Sequence, residues 1–361
     1  MQSIPVRSTI LEKTDRVIAV GEALASSCQV IDVRSPGEYI AGAIPGAINV
    51  PLFDEDERGV IGSIYRHGGH AQAVDQGFEL VEKRLATLLL AFQPYHHQNL
   101  VICCARGGMR SLSVVNLLSQ AGFSVCQLKG GYKEYRRQVL DQLEGFQPRL
   151  IVLHGLTGTG KTRILQRLSQ SIDLEELAGH RSSLFGGLYH QASNQRTFES
   201  RLAERSATLG AEPYFIEGES RKIGKVFIPK PLAAAMKGAV LVNIHCSLET
   251  RIARIIEDYP VTDQETMQQI ETILKSLKRT MGAEQVEKMC ALLREGNLTE
   301  LVRILLVDYY DKRYARSMSK YRFDLEISVE DLDAAAARLE EFRESLRAVG
   351  SSDGFVTQKL L

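Results

Sequence analysis

The stretch VICCARGGMRS, residues 101–111, places two cysteines at the end of an apolar run and two arginines around a Gly-Gly pair. The apolar run NLVIC at 99–103 predicts a short buried strand, and the helical apolar spacing of SLSVVNLL at 111–118 predicts a helix. Cys104 is then expected on the loop between them, where the free backbone N–H groups and the dipole of the following helix favour an anion. Such a position favours the thiolate form of a cysteine.

The alternation of apolar strands and helical segments continues around this loop and predicts a parallel α/β domain over residues 1–140. A polar stretch at 141–149 predicts a linker, and the pattern then restarts at 150. A second α/β domain is predicted over 150–348, mostly helical after about residue 250, and 349–361 predict a flexible tail. The further predicted strands are CQVIDVR (28–34), VCQLKGG (125–131), LIVLHG (150–155), YFIEG (214–218) and AVLVNIHC (239–246).

Composition limits the classes of partner and compartment. The 361 residues include 44 Lys+Arg and 44 Asp+Glu, so any nucleic-acid site must be a local basic patch. The six cysteines show neither zinc-site spacings nor the density of a disulfide scaffold, which predicts reduced thiols in the cytoplasm. The N-terminal sequence lacks an apolar signal core, and apolar runs such as LATLLLAF at 85–92 are too short to span a bilayer, so no membrane association is expected.

Three segments in a fixed order carry a resemblance to the rhodanese domain. They are VIDVRSPGEYIAGAIPGAINVP at 30–51, the Cys104 loop, and LKGGYKEY at 128–135. Rhodaneses carry sulfur as a persulfide on the loop cysteine, so the resemblance implies that Cys104 is catalytic. The loop glycines permit a tight backbone and the arginines attract an anionic donor. The predicted donor-anion site consists of Arg106, Gly107, Gly108, Arg110 and Ser111.

The loop departs from the usual rhodanese pattern in its length. Five residues separate Cys104 from Arg110, where rhodaneses commonly have four, and five is the spacing of cysteine phosphatases that share the fold. The wider loop favours a phosphate-sized substrate over bare sulfur. Ala43 also stands where rhodaneses commonly have a histidine. Cys103, the last residue of the predicted strand, is expected to be an ordinary core cysteine. The same interpretation is the alternative for Cys104, and the glycines and arginines that follow Cys104 disfavour it.

The second domain opens with LIVLHGLTGTGKTRIL at 150–165, a P-loop in its expected place between a strand and a helix. Its backbone N–H groups would cradle a diphosphate, Lys161 would reach the phosphate oxygens, and Thr162 could ligate Mg²⁺. Glu217 is the nearest predicted second Mg²⁺ ligand. The segment SLETRIARIIEDY at 247–259 resembles the arginine-bearing lid of small P-loop kinases, and a solvated helix face is its alternative interpretation. The predicted diphosphate-binding residues are Gly155, Gly158, Gly160, Lys161, Thr162, Arg251 and Arg254.

Four motifs in order, CARGGMRS, GLTGTGKT, LAGHRSSLFG and IEGESRKIG, resemble the tRNA 2-selenouridine synthase family, and the resemblance extends to about residue 325. It implies replacement of sulfur by selenium at the 2-position of wobble 2-thiouridine in tRNA, with selenophosphate as donor. It also implies that geranyl diphosphate first prenylates the sulfur. The P-loop would then hold geranyl diphosphate, and Cys104 would serve the selenium step. Mg²⁺ is the one cofactor considered, no tightly bound organic cofactor is expected, and a monomer is compatible with the sequence.

A basic segment, YYDKRYARSMSKYR at 309–322, is the predicted tRNA-binding surface. Its basic residues, interleaved with four tyrosines, suit phosphate contacts and base stacking, although an ordinary basic helix flank is the alternative. The residues proposed here are Lys312, Arg313, Tyr314 and Arg316, with His180 and Arg181 of GHRSS as a second candidate by family analogy.

Two other functions stay open at this point. One is a rhodanese-fold cysteine phosphatase or sulfurtransferase fused to a kinase-like P-loop domain. Cys103 stands where such phosphatases carry a histidine, which disfavours the phosphatase. The other is a tRNA-binding or regulatory module with inactive sites, and the intact anion loops disfavour it.

Overall fold

The structure is a computed structural model that describes residues 12–181, 183–186, 188, 193–218 and 220–350, without the side chains of 315–317 and 348–350. The chain divides into two compact units, which are described one at a time. The first unit holds the described residues up to 142 together with 199–203, and the second holds the others.

In the described part of the first unit, five parallel strands form one sheet in the order β1-β5-β4-β2-β3. The strands are β1 (Val17–Ile18), β2 (Gln29–Asp32), β3 (Ile48–Asn49), β4 (Leu100–Cys103) and β5 (Val125–Leu128). The helices are α1 (Val20–Ala25), α2 (Pro36–Ile40), α3 (Glu55–His67), α4 (Gly69–Phe92), α5 (Met109–Gln120) and α6 (Gly131–Glu144), and a 3₁₀ turn covers Gln93–Tyr95.

The apolar runs of this unit lie at the centre of its sheet. Every residue of β4 is buried, as a parallel strand covered by helices on both faces requires. The strands predicted at 28–34, 99–103 and 125–131 are confirmed as β2, β4 and β5. Helix α2 begins with a capping box in which Ser35 and Glu38 satisfy each other's backbone N–H groups, and this box fixes the place of the Glu38 carboxylate.

In the described part of the second unit, five parallel strands form a sheet in the order β12-β11-β6-β8-β7. They are β6 (Leu150–His154), β7 (Ser171–Ile172), β8 (Tyr214–Glu217), β11 (Val240–His245) and β12 (Leu325–Ser328), and a small antiparallel hairpin joins β9 (Lys222–Ile223) to β10 (Val226–Phe227). The helices are α7 (Lys161–Leu165), α8 (Leu174–Ala178), α9 (Gln195–Ala207), α10 (Lys230–Lys237), α11 (Leu248–Asp258), α12 (Gln264–Ser276), α13 (Lys278–Met281), α14 (Ala283–Arg294), α15 (Leu298–Ile304), α16 (Lys312–Met318) and α17 (Leu332–Gly350), with a π-helix over Leu305–Asp311.

The C-terminal part is helical as predicted, except for β12. This strand alternates polar and apolar residues, and Ile327 is buried in the core while Glu326 and Ser328 are exposed. It lies at the edge of the sheet beside β11, and a short half-polar edge strand gives little apolar signal. Helix α6 continues into the stretch predicted as a linker, and the predicted tail lies outside the described residues from 351 on.

A separate apolar core holds the helices of the second unit together. Helices α12, α14 and α15 and the π-helix bury Leu274, Met289, Leu301 and Tyr310 against one another and against Ile252 of α11. Across the described parts of the chain, no helix is both long and apolar enough to cross a lipid bilayer.

Candidate active site

Cys104 lies directly after β4 and its side chain is almost fully buried. Its sulfur is 3.1 Å from the hydroxyl oxygen of Ser111 in the first turn of α5. Ser111 Oγ also accepts a hydrogen bond from Gln127 Nε2 at 2.8 Å and donates to Gly108 O at 3.1 Å. The hydroxyl carries one proton, so rotating it from the Gly108 carbonyl to the sulfur would supply a donor to a thiolate.

The first residues of α6 form backbone hydrogen bonds with the Cys104 loop. The N–H of Tyr132 donates to Cys104 O at 2.8 Å, and the N–H of Lys133 donates to Ala105 O at 3.0 Å. Gly107 and Gly131 have φ of +60° and +58°, and a Cβ on Gly131 would come within 2.2 Å of Cys104 O. Backbone packs on backbone here, so the two glycines are required both by conformation and by space.

Arg110 lies in a charged cluster at the rim of the loop. Its Nη1 donates to Oε2 of Glu38 at 2.7 Å, and Arg58 Nε reaches the same oxygen at 3.2 Å. Burial alone would raise the pKa of Glu38, but the hydrogen bond and charge of Arg110, aided by Arg58, lower it to about 2. The carboxylate therefore holds the Arg110 guanidinium in place beside the loop, while the predicted donor-anion role of Arg110 and of the exposed Arg106 stays a prediction.

Cys103 is a core residue, as predicted. It is fully buried, and burial together with the nearby Asp32 carboxylate raises the pKa of its thiol. Asp32 forms a buried ion pair with Arg34, whose guanidinium lies 3.9 Å from the ring centre of Tyr132. This pair and the stacked ring support the strand ends beneath the Cys104 loop.

A cavity of about 1060 Å³ opens beside Cys104 within the first unit. The Cys104 loop and the start of α5 form one wall, and α3 and α4 form the others. Its lining is largely aliphatic and aromatic, and it includes charged residues such as Glu38, Arg106 and Arg110. The Cys104 sulfur therefore lines a space large enough for a small organic molecule.

In the second unit, the P-loop connects β6 to α7. Gly158 and Gly160 have φ of +83° and +88°, values that only glycine adopts readily. The Lys161 ammonium donates to Gly155 O at 3.0 Å, so it lies over the loop that would hold a phosphate. The five predicted P-loop residues are thus brought together, and diphosphate binding stays a prediction.

Arg251 and Arg254 of α11 hold the P-loop from the side. Arg251 Nε donates to Thr157 O at 2.8 Å, and Arg254 Nη1 donates to Thr159 O at 2.7 Å. Both side chains are buried, so the interpretation of this segment as a solvated helix face is wrong. Their contacts with carbonyl oxygens support a role in shaping the loop, and direct contact with a diphosphate stays a prediction.

Oxygen atoms suited to Mg²⁺ lie beside the P-loop. Thr162 Oγ1 is 3.3 Å from Oε2 of Glu175, and the buried Glu217 accepts a hydrogen bond from the N–H of Glu175 at 2.7 Å. Among the described residues, no group of three or more His, Cys, Asp or Glu side chains is arranged to hold a metal. This donor set fits Mg²⁺, which keeps several waters and usually binds one or two carboxylates together with phosphate oxygens.

Family comparison decides the identity of this arrangement. Residues 148–344 match the family described as the tRNA 2-selenouridine synthase AAA domain, and residues 19–138 match the rhodanese-like domain. The chain belongs to the tRNA 2-selenouridine synthase family.

Individual tRNA 2-selenouridine synthases match over most of their length. The protein of Hydrogenovibrio crunogenus is 33% identical over 330 residues, which is 83% of this chain and 91% of the relative. The Hahella chejuensis protein is 32% identical, with 82% and 86% covered, and the Proteus mirabilis protein is 32% identical, with 86% and 94% covered. Both units described above are thus shared with these synthases.

His180 and Arg181, the second candidate for tRNA binding, lie in the described part of the second unit. Arg181 Nη1 lies 3.4 Å from Asp258, which also accepts a hydrogen bond from Arg163 of α7. The His180 ring packs against Gly224, where an added Cβ would come within 2.7 Å of it. Arg181 is therefore close to the helix that follows the P-loop, and its contact with tRNA stays a prediction.

The basic segment at 309–322 is only partly available for tRNA. Lys312 is exposed and pairs with Asp308 at 2.8 Å, and Arg313 stacks on Tyr309 with its guanidinium 5.2 Å from the ring centre. Tyr309 and Tyr310 are buried core residues, so the expectation that all four tyrosines serve base stacking is wrong. Tyr314 and Tyr321 are exposed, whereas the side chain of Arg316 lies outside the described residues.

Four residues that contact the Cys104 loop or the P-loop region were missed at the sequence level. They are Glu38, Gln127, Gly131 and Glu175. Glu38 and Gln127 contact the Cys104 loop only through the fold, and no local motif marks them. The Gly-Gly pair at 130–131 did carry a signal, because two successive glycines after a strand indicate a backbone that needs positive φ.

Proposed function

We propose that this chain is a tRNA-modifying enzyme that replaces the sulfur of a wobble 2-thiouridine with selenium. The observation that carries the proposal is the geometry of the Cys104 loop, with its sulfur beside Ser111 and its rim held by Arg110, in a chain that also has an intact P-loop. Membership of the synthase family supports the substrate, since the relatives are named for tRNA and 2-selenouridine.

The proposed reaction has two stages that balance separately. First, the thiouridine sulfur takes the geranyl group from geranyl diphosphate, and diphosphate and a proton leave. Second, selenophosphate and water give selenium to C2, break the C2–S bond, and release geranylthiol and phosphate. Alkylation supports the second stage because C2 can then expel the geranyl thiolate, which leaves more readily than the sulfide that an unalkylated thiocarbonyl would have to release.

The first stage is assigned to the P-loop. Its positive-φ glycines turn backbone N–H groups toward a bound anion, and Lys161 adds a positive charge near the departing diphosphate. Thr162, Glu175 and Glu217 would hold Mg²⁺ against the same phosphates. Bound there, the metal would neutralise charge on the leaving diphosphate.

The second stage is assigned to the Cys104 loop. Five residues separate Cys104 from Arg110, a spacing that favours a phosphate-sized group, and Arg110 and Arg106 supply the positive charge that a selenophosphate would need. Ser111 can donate to the Cys104 sulfur, and Glu38 fixes the orientation of Arg110. These residues bind the anion and orient it toward the cavity beside Cys104.

A crossed pair of variants tests the assignment. Lys161→Ala should abolish geranylation of thiolated tRNA and leave selenation of tRNA supplied already geranylated. Cys104→Ser should do the reverse and accumulate geranylated tRNA. Mass spectrometry of the wobble nucleoside, after incubation with geranyl diphosphate and selenophosphate, measures both products.

Two outcomes would overturn the proposal. One is normal geranylation by Lys161→Ala, which would give the P-loop another ligand, most simply a nucleotide. The other is a folded Cys104→Ser protein that selenates geranylated tRNA at the wild-type rate. Hydrolysis of p-nitrophenyl phosphate, measured in parallel, would instead favour the cysteine phosphatase.

A further inference from the structure

The cavity beside Cys104 is a large cleft that is partly open to solvent. It measures about 1060 Å³, and exposed residues such as Tyr65 line it together with buried ones such as Leu88. Ligand sites typically occupy 300–1,000 Å³ and are lined mainly by apolar side chains with a few polar groups at one end. The size of this space matches a ligand site.

Most of the side chains that line the cavity are apolar. Two phenylalanines and several branched aliphatic residues face it from the loop after β3 and from helices α4 and α5. The residues that matter most are Phe53, Phe78, Leu85, Leu88, Val114 and Leu117. A surface of this kind binds a hydrocarbon chain favourably and provides few hydrogen bonds for a sugar or a nucleotide phosphate.

Small residues on the two helices keep the space open. Gly59 and Gly62 of α3 and Ala73 and Gly77 of α4 all line the cavity. A Cβ on Gly77 would lie 3.5 Å from Phe53 and 3.9 Å from Ile61, which both line the cavity, so a longer side chain would grow into it. Glycine inside a helix is unfavourable by about 1 kcal/mol relative to alanine, which indicates a use for the missing side chain.

A cluster of charged side chains lines the cavity together with Cys104. Glu38 pairs with both Arg58 and Arg110, and Arg106 lies on the Cys104 loop, while Glu55, Arg66 and His70 also line the space. The charged cluster can accommodate an anionic donor and a nucleobase, and the buried lining residues offer hydrocarbon. The cavity thus has the polarity of a ligand with a polar head and a long apolar chain.

We propose that this cavity binds the geranyl chain of the S-geranylated wobble base during the selenium step, with C2 of the base beside Cys104. The inference rests on the proposed function, and it adds a second prenyl-recognition site in the first unit, distinct from the P-loop that holds geranyl diphosphate. Binding of the geranyl chain would position the base next to the Cys104 sulfur.

The volume agrees with this occupant. If each carbon group of the chain takes about 30 Å³, the share of one water molecule, ten carbons take about 300 Å³. The remaining space admits a pyrimidine ring and the donor anion.

Calorimetric titration of the full chain with the S-geranyl-2-thiouridine nucleoside tests the site directly. Gly77→Leu should weaken binding at least tenfold, because its side chain occupies the chain's place. Gly21→Leu, on α1 outside the cavity and with nothing within 4 Å of an added Cβ, is the matched control. Lys161→Ala should bind this nucleoside like the wild type.

A second measurement needs no variant and stays valid if Gly77→Leu does not fold. Burial of one methylene is worth about 0.8 kcal/mol, or about fourfold in affinity, so the S-dimethylallyl nucleoside should bind the wild type at least ~100-fold more weakly than the S-geranyl one. The S-geranyl nucleoside should also protect Cys104 from iodoacetamide, with the half-buried Cys28 and Cys126 as internal controls.

The results separate this inference from the proposed function. Equal affinity for the two nucleosides, unchanged affinity in a folded Gly77→Leu, or loss of binding in Lys161→Ala would overturn the cavity assignment. If the nucleoside binds as expected but the wild type fails to selenate geranylated tRNA, the cavity site stands and the proposed function fails. If selenation succeeds without chain-length discrimination, the function stands and the site is wrong.

Discussion

Nη1 of Arg110 lies 2.7 Å from Oε2 of Glu38, a residue 72 positions earlier in the chain. The pair joins the first turn of α5 to the capping box of α2. It also fixes the guanidinium that we assign to binding of the selenium donor. The orientation of Arg110 therefore depends on a carboxylate that does not itself bind an anion.

Replacing Glu38 with Gln should remove a pH-dependent contribution to stability. The Glu38 pKa is lowered from 4.5 to about 2, so the unfolded chain binds a proton more readily than the folded one between these values. The stabilisation is present above about pH 4.5 and is lost as pH falls toward 2. The difference in unfolding midpoint between wild type and Glu38→Gln should therefore be largest at pH 6–7 and shrink by pH 3, as followed by circular dichroism. The exposed Glu22→Gln is the control, and a difference that grows in acid would contradict the assignment.

Arg110→Ala should weaken use of the selenium donor more than it weakens binding of tRNA. Loss of a charge-assisted contact to an anion costs about 1.5–3 kcal/mol, or roughly 10- to 100-fold in the KM for selenophosphate. Arg110→Lys should recover only part of the loss, because an ammonium lacks the planar fork. A collapse of tRNA affinity with an unchanged KM would argue that Arg110 binds nucleic acid.

The two adjacent cysteines should differ sharply on substitution. Cys104→Ser should lose selenium incorporation, because its sulfur alone faces Ser111 and the cavity. Cys103→Ser should keep most activity while losing about 1–3 kcal/mol of stability, because it buries a hydroxyl in the core. Selenouridine yield and unfolding midpoints should be measured on both. Equal loss of activity in two folded variants would show that the loop cysteine is not special.

Gly131→Ala should be far more damaging than Gly46→Ala. Both positions have positive φ, but an added Cβ meets nothing within 4 Å at Gly46, whereas at Gly131 it would come within 2.2 Å of Cys104 O. Gly46→Ala should cost about 1–2 kcal/mol of unfolding free energy from the backbone conformation alone. Gly131→Ala should cost at least ~2 kcal/mol more and should abolish the selenium step. Equal costs would mean that the loop moves away freely.

Arg254→Met should disable the P-loop by leaving buried carbonyls without donors. Arg254 donates to Thr159 O at 2.7 Å and to Val329 O at 2.6 Å, so its loss should cost about 2–5 kcal/mol and weaken binding of geranyl diphosphate. Arg163→Met, which removes partly exposed ion pairs to Glu257 and Asp258, should cost about 1 kcal/mol or less. Intact diphosphate affinity in Arg254→Met would limit this residue to a packing role.

His154, at the end of β6, should make the second unit less stable in mild acid. Burial, together with the charge of Lys161, lowers its pKa from 6.5 to about 4, so the unfolded chain binds more protons between these values. Above pH 6.5 the histidine is neutral in both states and the free energy of unfolding is unaffected. As pH falls from 6.5 toward 4, protonation stabilises the unfolded chain, so the free energy of unfolding decreases. His154→Phe keeps the aromatic packing on Tyr321 and should flatten this decline in a urea titration, unlike the exposed His245→Phe. An identical slope in wild type and His154→Phe would refute the assignment.

The central strands were predictable, because a fully buried parallel strand has a continuous apolar sequence. The Cys104 loop and the P-loop were predictable as well, because glycine-rich turns indicate positive φ. Strand β12 was not, since an edge strand needs apolar residues on one face only. The contacts of the Arg251 and Arg254 side chains with the P-loop could not be predicted either. Spacing places both on one helix face, and only packing reveals that this face meets carbonyl oxygens.

Contacts between distant segments were the least predictable part of the site. Glu38 looks in the sequence like a helix-capping residue, and it is one, but its carboxylate also reaches Arg110. Three glycines and one alanine of α3 and α4 line the cavity, and the sequence alone does not show why these positions are small. Such features depend on how elements meet, which short-range patterns do not encode.

Arg251 holds Thr157 O of the P-loop with one nitrogen and Asp311 with the other two, and Asp311 directly precedes the basic helix α16. The Thr157 carbonyl and the Asp311 carboxylate, at the base of the proposed tRNA surface, are thus held by the same guanidinium, so movement of one can be felt at the other. Thermodynamic linkage makes this relation reciprocal: whatever factor tRNA applies to the dissociation constant of geranyl diphosphate, geranyl diphosphate applies to that of tRNA. Measured on wild type and on Arg251→Lys, that single ratio would tell whether one guanidinium couples the binding of the two substrates.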